Sequence, residues 1–159
     1  MIPAIVKQNE IRGIGYEIDA EYVRGSEKNA AYWGEIDFSK YPPYPADLED
    51  LGELATWKHP AGENEHLCYY FGCRSTTPEV PEGFTEFTIP AAEYAVFIAS
   101  DEVGTEAPAE TVKKVRQTYA CIFNEWLGNG GYAYDIDHGM LYESYKDNYA
   151  CIYVPVKKI

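Results

Sequence analysis

The chain has 159 residues, with 26 Asp and Glu against 13 Lys and Arg, and a formal net charge of −13. A basic face for nucleic acid is therefore not expected, and no apolar run approaches the roughly 20 residues of a membrane span. Aromatic residues make up 15% of the chain and 15 residues are Tyr, which favours one folded domain over residues 1–159 rather than an acidic disordered chain.

The first half of the chain predicts a strand, a helix and two further strands. Alternating apolar residues from Ile11 to Ile18 favour a strand with a kink at one of its glycines. Ser26 precedes an acidic first turn, so a helix is predicted over residues 26–37. The Pro-rich stretch 41–45 interrupts regular structure, and strands are predicted around residues 54–58 and over residues 66–75.

The second half repeats this order after a Pro-containing linker at residues 76–83. A strand is predicted over residues 84–99, and a hairpin over residues 132–147 and 149–157. Between them, residues 108–127 predict the clearest helix, which begins at Pro108 and ends at a glycine-rich stretch. Its apolar residues recur at steps of three and four: Val112, Val115, Tyr119, Ile122 and Trp126.

Two short likenesses between the halves suggest an internal repeat. Residues 14–19 resemble residues 95–100, an offset of 81 (from 14 to 95), and Cys68 with Tyr70 resembles Cys151 with Tyr153, an offset of 83 (from 68 to 151). We therefore predict pseudo-repeats over about residues 1–75 and 84–159. The predicted fold class is α+β, a duplicated strand-helix-strand-strand unit with an antiparallel sheet, pseudo-two-fold symmetry and a central ligand cleft.

Glu143 is the first candidate functional residue. If residues 139–147 form a strand, Leu141, Glu143 and Tyr145 share one face, while Tyr142 and Ser144 share the other. A carboxylate on a buried face could neutralise a cationic ligand, or act as a general acid or base with a raised pKa. The alternative is an edge-strand carboxylate that faces water.

The excess of Tyr over Phe, 15 against 6, suggests amphipathic walls rather than a dry core, because each buried hydroxyl needs a hydrogen-bond partner. Aromatic faces beside a carboxylate are suited to a flat hydrophobic cation. The candidate ligand-binding residues are Glu143, Tyr145, Tyr16, Trp33, Tyr70, Tyr94 and Trp126.

No cofactor or metal is expected. The four Cys and three His lack the spacing of a zinc site, and the chain contains no P-loop, dinucleotide-binding or nucleophile-elbow motif. No set of catalytic residues follows from spacing either. The N-terminal residues lack the pattern of a secretion signal, so we expect a cytoplasmic protein.

Several segments resemble the GyrI-like and AraC-type effector-binding domain family. Residues 83–98, GFTEFTIPAAEYAVFI, are similar to that family's Ile-Pro-Ala turn and following strand. Residues 123–135, FNEWLGNGGYAYD, resemble its helix end, LYESYKD resembles its strand with a central Glu, and IYVPVKK resembles its closing strand. The opening IVKQNEIRGIGYE is also similar, whereas residues 37–66 depart from the family pattern.

The resemblance implies a pseudo-two-fold fold with a central cleft that binds small hydrophobic, often cationic, compounds. The Glu at the position of Glu143 is the usual cation partner in that family, and Tyr145 belongs to the same motif. A helix-turn-helix domain, common in family members, has no counterpart in this sequence, so the chain resembles the stand-alone form carried on integron cassettes.

Three hypotheses follow from the sequence. The first, which we favour over an enzyme, is a binding module for drug-like lipophilic cations. The second is a hydrolase of electrophilic natural products that uses the same Glu143 to activate water. The third is a protein-interaction module, whose acidic surface would act on a regulator or a topoisomerase.

Overall fold

The computed structural model describes residues 1–21, 38–58 and 66–159. The helix predicted over residues 26–37, together with Trp33, lies outside the described residues. Within these ranges, helix α1 spans Pro108–Cys121 and continues into a π-helical turn, Ile122–Trp126. The strands are β1 (Ala4–Gln8), β2 (Ile11–Glu21), β3 (Glu53–Lys58), β4 (His66–Arg74), β5 (Thr85–Ile89), β6 (Ala92–Ser100), β7 (Tyr132–Tyr134), β8 (Tyr142–Lys146) and β9 (Tyr149–Lys158).

All strands pair antiparallel, in the order β1-β6-β9-β8-β3-β4-β2-β5, with β7 beside the end of β9. The order reads as two blocks, β6-β9-β8 and β3-β4-β2, which meet where β3 pairs with β8. The predicted α+β class is confirmed, and the sheet curls into a half-barrel.

The edge strands are exchanged between the two blocks. β1 precedes β2 in the chain but pairs with β6, and β5 precedes β6 but pairs with β2. Asn9 and Glu10 alone connect β1 to β2, and Pro90 and Ala91 alone connect β5 to β6. Such short connections keep the two edges of the sheet close to each other.

The strand register repeats between the blocks. Ile14 pairs with Cys73 and Ala95 pairs with Val154, so both residue numbers rise by 81 (from 14 to 95 and from 73 to 154). Cys151 corresponds to Tyr70 in this register and not to Cys68, so the second sequence likeness has no structural counterpart. The full duplication stays a prediction, because the helix predicted in the first half is outside the described residues.

Ala55 lies directly opposite Glu143 on the two central strands, where a two-fold axis between the blocks would pass. One row of paired residues crosses six strands through this point. It runs through Tyr16, Phe71, Ala55, Glu143, Ile152 and Phe97. Directly paired residues project to the same side of a sheet, so Tyr16 and Glu143 share a face.

The two faces of the sheet have separate apolar cores. The helix face, against which α1 packs, includes Phe97, Val115, Ile122, Leu141 and Ile152. The far face includes Ile11, Leu54, Tyr70, Phe87, Ile89, Tyr94 and Tyr142. Consecutive residues of β8 alternate between these cores, as expected for a strand whose two faces are both buried.

Helix α1 differs from its prediction at both ends of the apolar stripe. Val115 and Ile122 are buried, but Val112 is exposed. The α-helical hydrogen bonding ends at Cys121 rather than at residue 127, and the π-helical turn then places Trp126 edge-on against Phe97, with ring centroids 5.1 Å apart.

Two predicted strands are also divided more finely. Residues 84–99 form β5 and β6, because Pro90 and the following Ala end the first strand. Residues 132–147 contain the short β7 and the separate β8. The β8–β9 hairpin turns at Asp147 (φ 49°) and Asn148 (φ 72°), whose positive φ values are typical of a type I′ turn.

Candidate functional site

Glu143 is the carboxylate nearest the centre of the sheet. Its side chain is 6% exposed and lies on the helix face, opposite Ala55 of β3 on one side and Ile152 of β9 on the other. The predicted sharing of one face by Leu141, Glu143 and Tyr145 agrees with the helix-face core, which contains Leu141 and contacts Tyr145.

Two tyrosine hydroxyls hold the Glu143 carboxylate. The Tyr119 hydroxyl donates to Oε1 at 2.8 Å, and the Tyr145 hydroxyl donates to Oε2 at 2.6 Å. Tyr145 reaches the carboxylate because residues two apart on a strand share a face. Tyr119 reaches it from α1, on the apolar stripe that packs the helix onto the sheet.

Burial raises the pKa of Glu143, because the charged form loses its hydration, and the hydrogen bonds from Tyr145 and Tyr119 offset part of this effect. Burial and the neighbouring Glu143 likewise raise the pKa of both Tyr119 and Tyr145, so both hydroxyls keep their protons as donors. Among the residues whose side chains the structure describes (1–18, 39–57 and 68–159), no basic group forms an ion pair with Glu143 or lowers its pKa.

Aromatic rings extend from this carboxylate along the helix face. The ring of Trp57 lies edge-on to Tyr119, with centroids 6.1 Å apart, and tilts against Tyr69 at 6.4 Å. Tyr69 in turn contacts Phe71 at 6.3 Å. The carboxylate therefore borders a surface of π faces, which attract cations as well as apolar groups.

Tyr16 lies at the other end of this face. It is in the same row as Glu143 but three strand spacings away, or about 14 Å. Its ring contacts Tyr41, Tyr44 and Phe84 at centroid distances of 5.1, 5.4 and 5.3 Å, and its hydroxyl donates to the Pro42 carbonyl.

The remaining predicted ligand-binding residues are not brought to Glu143. Tyr70 and Tyr94 belong to the far-face core, on the other side of the sheet. Trp126 packs between Phe97 and Tyr132, so its contacts are those of a core residue. Trp33 lies outside the described residues.

Two residues near the carboxylate were not among the predicted ligand-binding residues. Tyr119 was assigned only to the apolar stripe of the helix, although a Tyr on a buried stripe requires a partner for its hydroxyl. Trp57 was not singled out, because the short strand that carries it has no aromatic-rich pattern. Its position follows from the pairing of β3 with β8, a contact distant in sequence.

The described part of the chain contains neither a cluster of metal ligands nor a membrane-spanning helix. No three His, Cys, Asp or Glu residues within it gather as metal ligands. None of its helices combines the length and apolar character needed to cross a membrane.

Comparison with known proteins identifies the fold. The model of the Cass2 family, described as integron-associated effector binding protein, matches residues 4–156. Comparison with curated proteins gives no match. Among solved structures, the integron cassette protein VCH_CASS2 from the mobile metagenome of Vibrio cholerae has 12% identity and a TM-score of 0.57, over 97% of this chain and 95% of that chain.

Two further structures are similar at comparable distance. SAV2435 bound to tetraphenylphosphonium has 16% identity and a TM-score of 0.61, over 99% of this chain and 94% of that chain. The C-terminal domain of EcmrR has 16% identity and a TM-score of 0.52, over 98% of this chain and 97% of that chain. The resemblance noted in the sequence is thus confirmed, and the chain belongs to the Cass2 family of integron-associated effector-binding proteins.

Proposed function

We propose that this protein binds hydrophobic organic cations on the helix face of its sheet. Glu143 supplies the negative charge, and Tyr119, Tyr145 and Trp57 supply the surrounding π faces. The observation that carries the proposal is a buried carboxylate with two tyrosine donors and no basic partner in the described part of the chain.

The energetics favour an organic cation over a small hydrated one. A buried carboxylate without a counter-charge costs several kcal/mol, and part of that cost is recovered when a cation binds beside it. A small hydrated cation, such as the ammonium ion, would lose strong hydration when it enters the site. A cation whose charge is covered by organic groups has little hydration to lose. Each aromatic ring that faces the cation adds about 0.5–2 kcal/mol.

The comparisons support the same class of ligand. An effector-binding family is one whose members bind small molecules, and SAV2435, which is similar in fold, is bound to tetraphenylphosphonium. That compound is a hydrophobic cation with its charge enclosed by four phenyl groups. We use it as the first probe for this chain.

The test is calorimetric titration with tetraphenylphosphonium, with tetraphenylborate as an anion of nearly the same shape. We expect the wild type to bind the cation and to bind the anion much more weakly. Glu143→Gln should weaken binding of the cation by about 1–3 kcal/mol, because a charged hydrogen-bonded partner is lost while shape is kept. The matched control is Glu110→Gln, which removes an equal charge from the exposed side of α1.

Equal affinity for the cation and the anion would show that hydrophobic contact, and not Glu143, governs binding. An unchanged affinity of Glu143→Gln for the cation would contradict the role of the carboxylate. A loss of the same size in Glu110→Gln would mean that the net charge of the protein is responsible.

A hydrolytic activity remains the second candidate, because a carboxyl with a raised pKa beside two hydroxyls also suits general acid–base chemistry. Incubation with a strained electrophilic cyclopropane tests for this activity. Turnover would give more than one equivalent of product per protein, and product formation would require Glu143. Interaction with a regulator or a topoisomerase, and a location in the cytoplasm, stay predictions.

A further inference from the structure

Glu53 is a second carboxylate on the helix face. As the first residue of β3 it lies directly opposite Tyr145 of β8 on one side and opposite Cys73 of β4 on the other. Tyr145 is also the residue whose hydroxyl donates to Glu143. Glu53 and Glu143 are therefore diagonal neighbours in the sheet, a relation in which residues lie about 7–8 Å apart.

The surroundings of Glu53 repeat those of Glu143 in weaker form. The Glu53 side chain is more exposed than that of Glu143, yet burial raises its pKa, and the nearby charge of Asp50 raises it further. Its own charge raises the pKa of Tyr145 and, less strongly than burial does, the pKa of Tyr44.

No cation in the described ranges neutralises Glu53. Among the side chains described in 1–18, 39–57 and 68–159, none forms an ion pair with Glu53 and no basic group lowers the pKa of Glu53. Lys146 is adjacent in space, but its aliphatic stem lies against Gly52, and it follows Tyr145 on β8, so it projects toward the far face.

An exposed acid on a strand is ordinarily a solvated surface group. Glu53 differs because a direct strand pair links it to Tyr145, and Tyr145 is bonded to the carboxylate of the proposed site. The face thus presents the order Tyr119, Glu143, Tyr145 and Glu53, in which two carboxylates alternate with two tyrosines.

We propose that Glu53 selects ligands by their number of charges, so that compounds with two cationic centres joined by a short linker bind better than their single-charge halves. This inference rests on the proposed function of Glu143. One centre would lie at Glu143 and the second at Glu53, with Tyr145 between them. The two charges must lie close together, because diagonal neighbours such as Glu53 and Glu143 are only about 7–8 Å apart in the sheet.

The test compares bis(benzyldimethylammonium) alkanes of increasing linker length with benzyltrimethylammonium, the single-charge half. Titrations are run on the wild type, Glu53→Gln, Glu143→Gln and the control Glu110→Gln. We expect Glu53→Gln to weaken the best bis-cation by about threefold to fivefold, the size expected for a solvent-accessible ion pair, and to leave the mono-cation nearly unchanged. The difference should shrink as salt is added.

Linker length provides a second measurement that does not depend on a variant. Affinity of the wild type should pass through a maximum at one linker length, and this maximum should disappear in Glu53→Gln. Affinity that rises steadily with linker length in both proteins would reflect hydrophobic contact alone and would overturn the inference.

Failure of this inference is distinguishable from failure of the proposed function. If Glu143→Gln leaves the affinity for the mono-cation unchanged, the proposed function fails. If Glu143→Gln weakens that affinity but Glu53→Gln affects mono- and bis-cations equally, or neither, the proposed function stands and the role of Glu53 is wrong. Thermal unfolding of each variant confirms that it is folded, as expected for an exposed Glu53.

Discussion

The carboxylates that accept tyrosine hydroxyls differ in burial between the two faces of the sheet. On the far face, Tyr70 donates to Oε1 of Glu17, an exposed residue, while Tyr94 donates to the Pro90 carbonyl and Tyr142 donates to Oε1 of Gln8. On the helix face, Tyr119 and Tyr145 donate to a carboxylate. These far-face hydroxyls bond to neutral groups or to a solvent-exposed carboxylate, whereas Tyr119 and Tyr145 together hold one buried carboxylate. Burial of the acceptor carboxylate, rather than the ring, thus distinguishes the tyrosines of the candidate site.

The largest expected effect is on the far face. Tyr142→Ala should lower the free energy of unfolding by about 3–5 kcal/mol, because it removes a fully buried ring that stacks on Tyr153 at 4.4 Å. Titration of the folded fraction with tetraphenylphosphonium should give the wild-type affinity. If Tyr142→Ala kept its stability but bound the cation more weakly than the wild type, the far face would contribute to binding.

The next effect is a pH dependence of stability that Glu143, on the helix face, is expected to cause. Glu143 has a raised pKa in the folded state, so over the window between its ordinary and raised pKa the folded state holds a proton that the unfolded state has lost. Stability of the wild type should therefore fall through this window as pH rises, by about 1.4 kcal/mol for each pH unit.

Denaturant unfolding across this pH range measures the effect. Glu143→Gln should lack this component of the fall, while Glu110→Gln should follow the wild-type curve. Wild-type and Glu143→Gln curves that run parallel throughout would mean that the Glu143 carboxyl is as well solvated in the folded state as in the unfolded one.

A smaller effect concerns the two donors on the helix face. Hydrogen bonds from Tyr145 and Tyr119 lower the pKa of Glu143 against the effect of burial. Tyr145→Phe or Tyr119→Phe should therefore move the midpoint of the pH profile for cation binding upward by about one to two pH units, since a bond to a charged group contributes about 1.5–3 kcal/mol. Tyr94→Phe, the far-face control, should leave the midpoint in place, and a shift there would contradict the separation of the faces.

The smallest effect is that of one far-face hydroxyl. Tyr142→Phe should cost about 0.5–1.5 kcal/mol of stability, because Gln8 loses a neutral hydrogen bond, and should not change cation affinity. Thermal unfolding and the same titration check both values. A change in affinity here would mean that the two faces are energetically coupled.

Local patterns in the sequence were sufficient for several elements. The alternation around Glu143 placed this residue correctly with Leu141 and Tyr145, because a strand has a period of two. The steps of three and four in residues 108–127 predicted a helix, of which Pro108–Cys121 is α1. The exchange of the edge strands β1 and β5 could not be predicted, since strand partners distant in sequence leave no local pattern.

The candidate site was predictable only in part for the same reason. Residues 69–71 are all aromatic, so alternation alone could not tell whether Tyr70 or its neighbours share a face with Glu143. Tyr69 lies in the helix-face aromatic surface and Tyr70 lies in the far-face core. The positions of Tyr119 and Trp57 beside Glu143 depend on the packing of α1 and on the pairing of β3 with β8. Short-range spacing in the sequence predicts neither of these contacts.

The exchanged edge strands imply that an intact chain at residues 76–83, between the two halves, is no longer needed to hold the halves together once the protein has folded. A protease cut within residues 76–83 would separate β1–β4 from β5–β9, yet β1 would remain paired with β6, β5 with β2, and β3 with β8. We expect the nicked protein to migrate as one species in gel filtration. It should also keep its carboxylate and both tyrosine donors, because Glu143, Tyr119 and Tyr145 all lie on the same fragment.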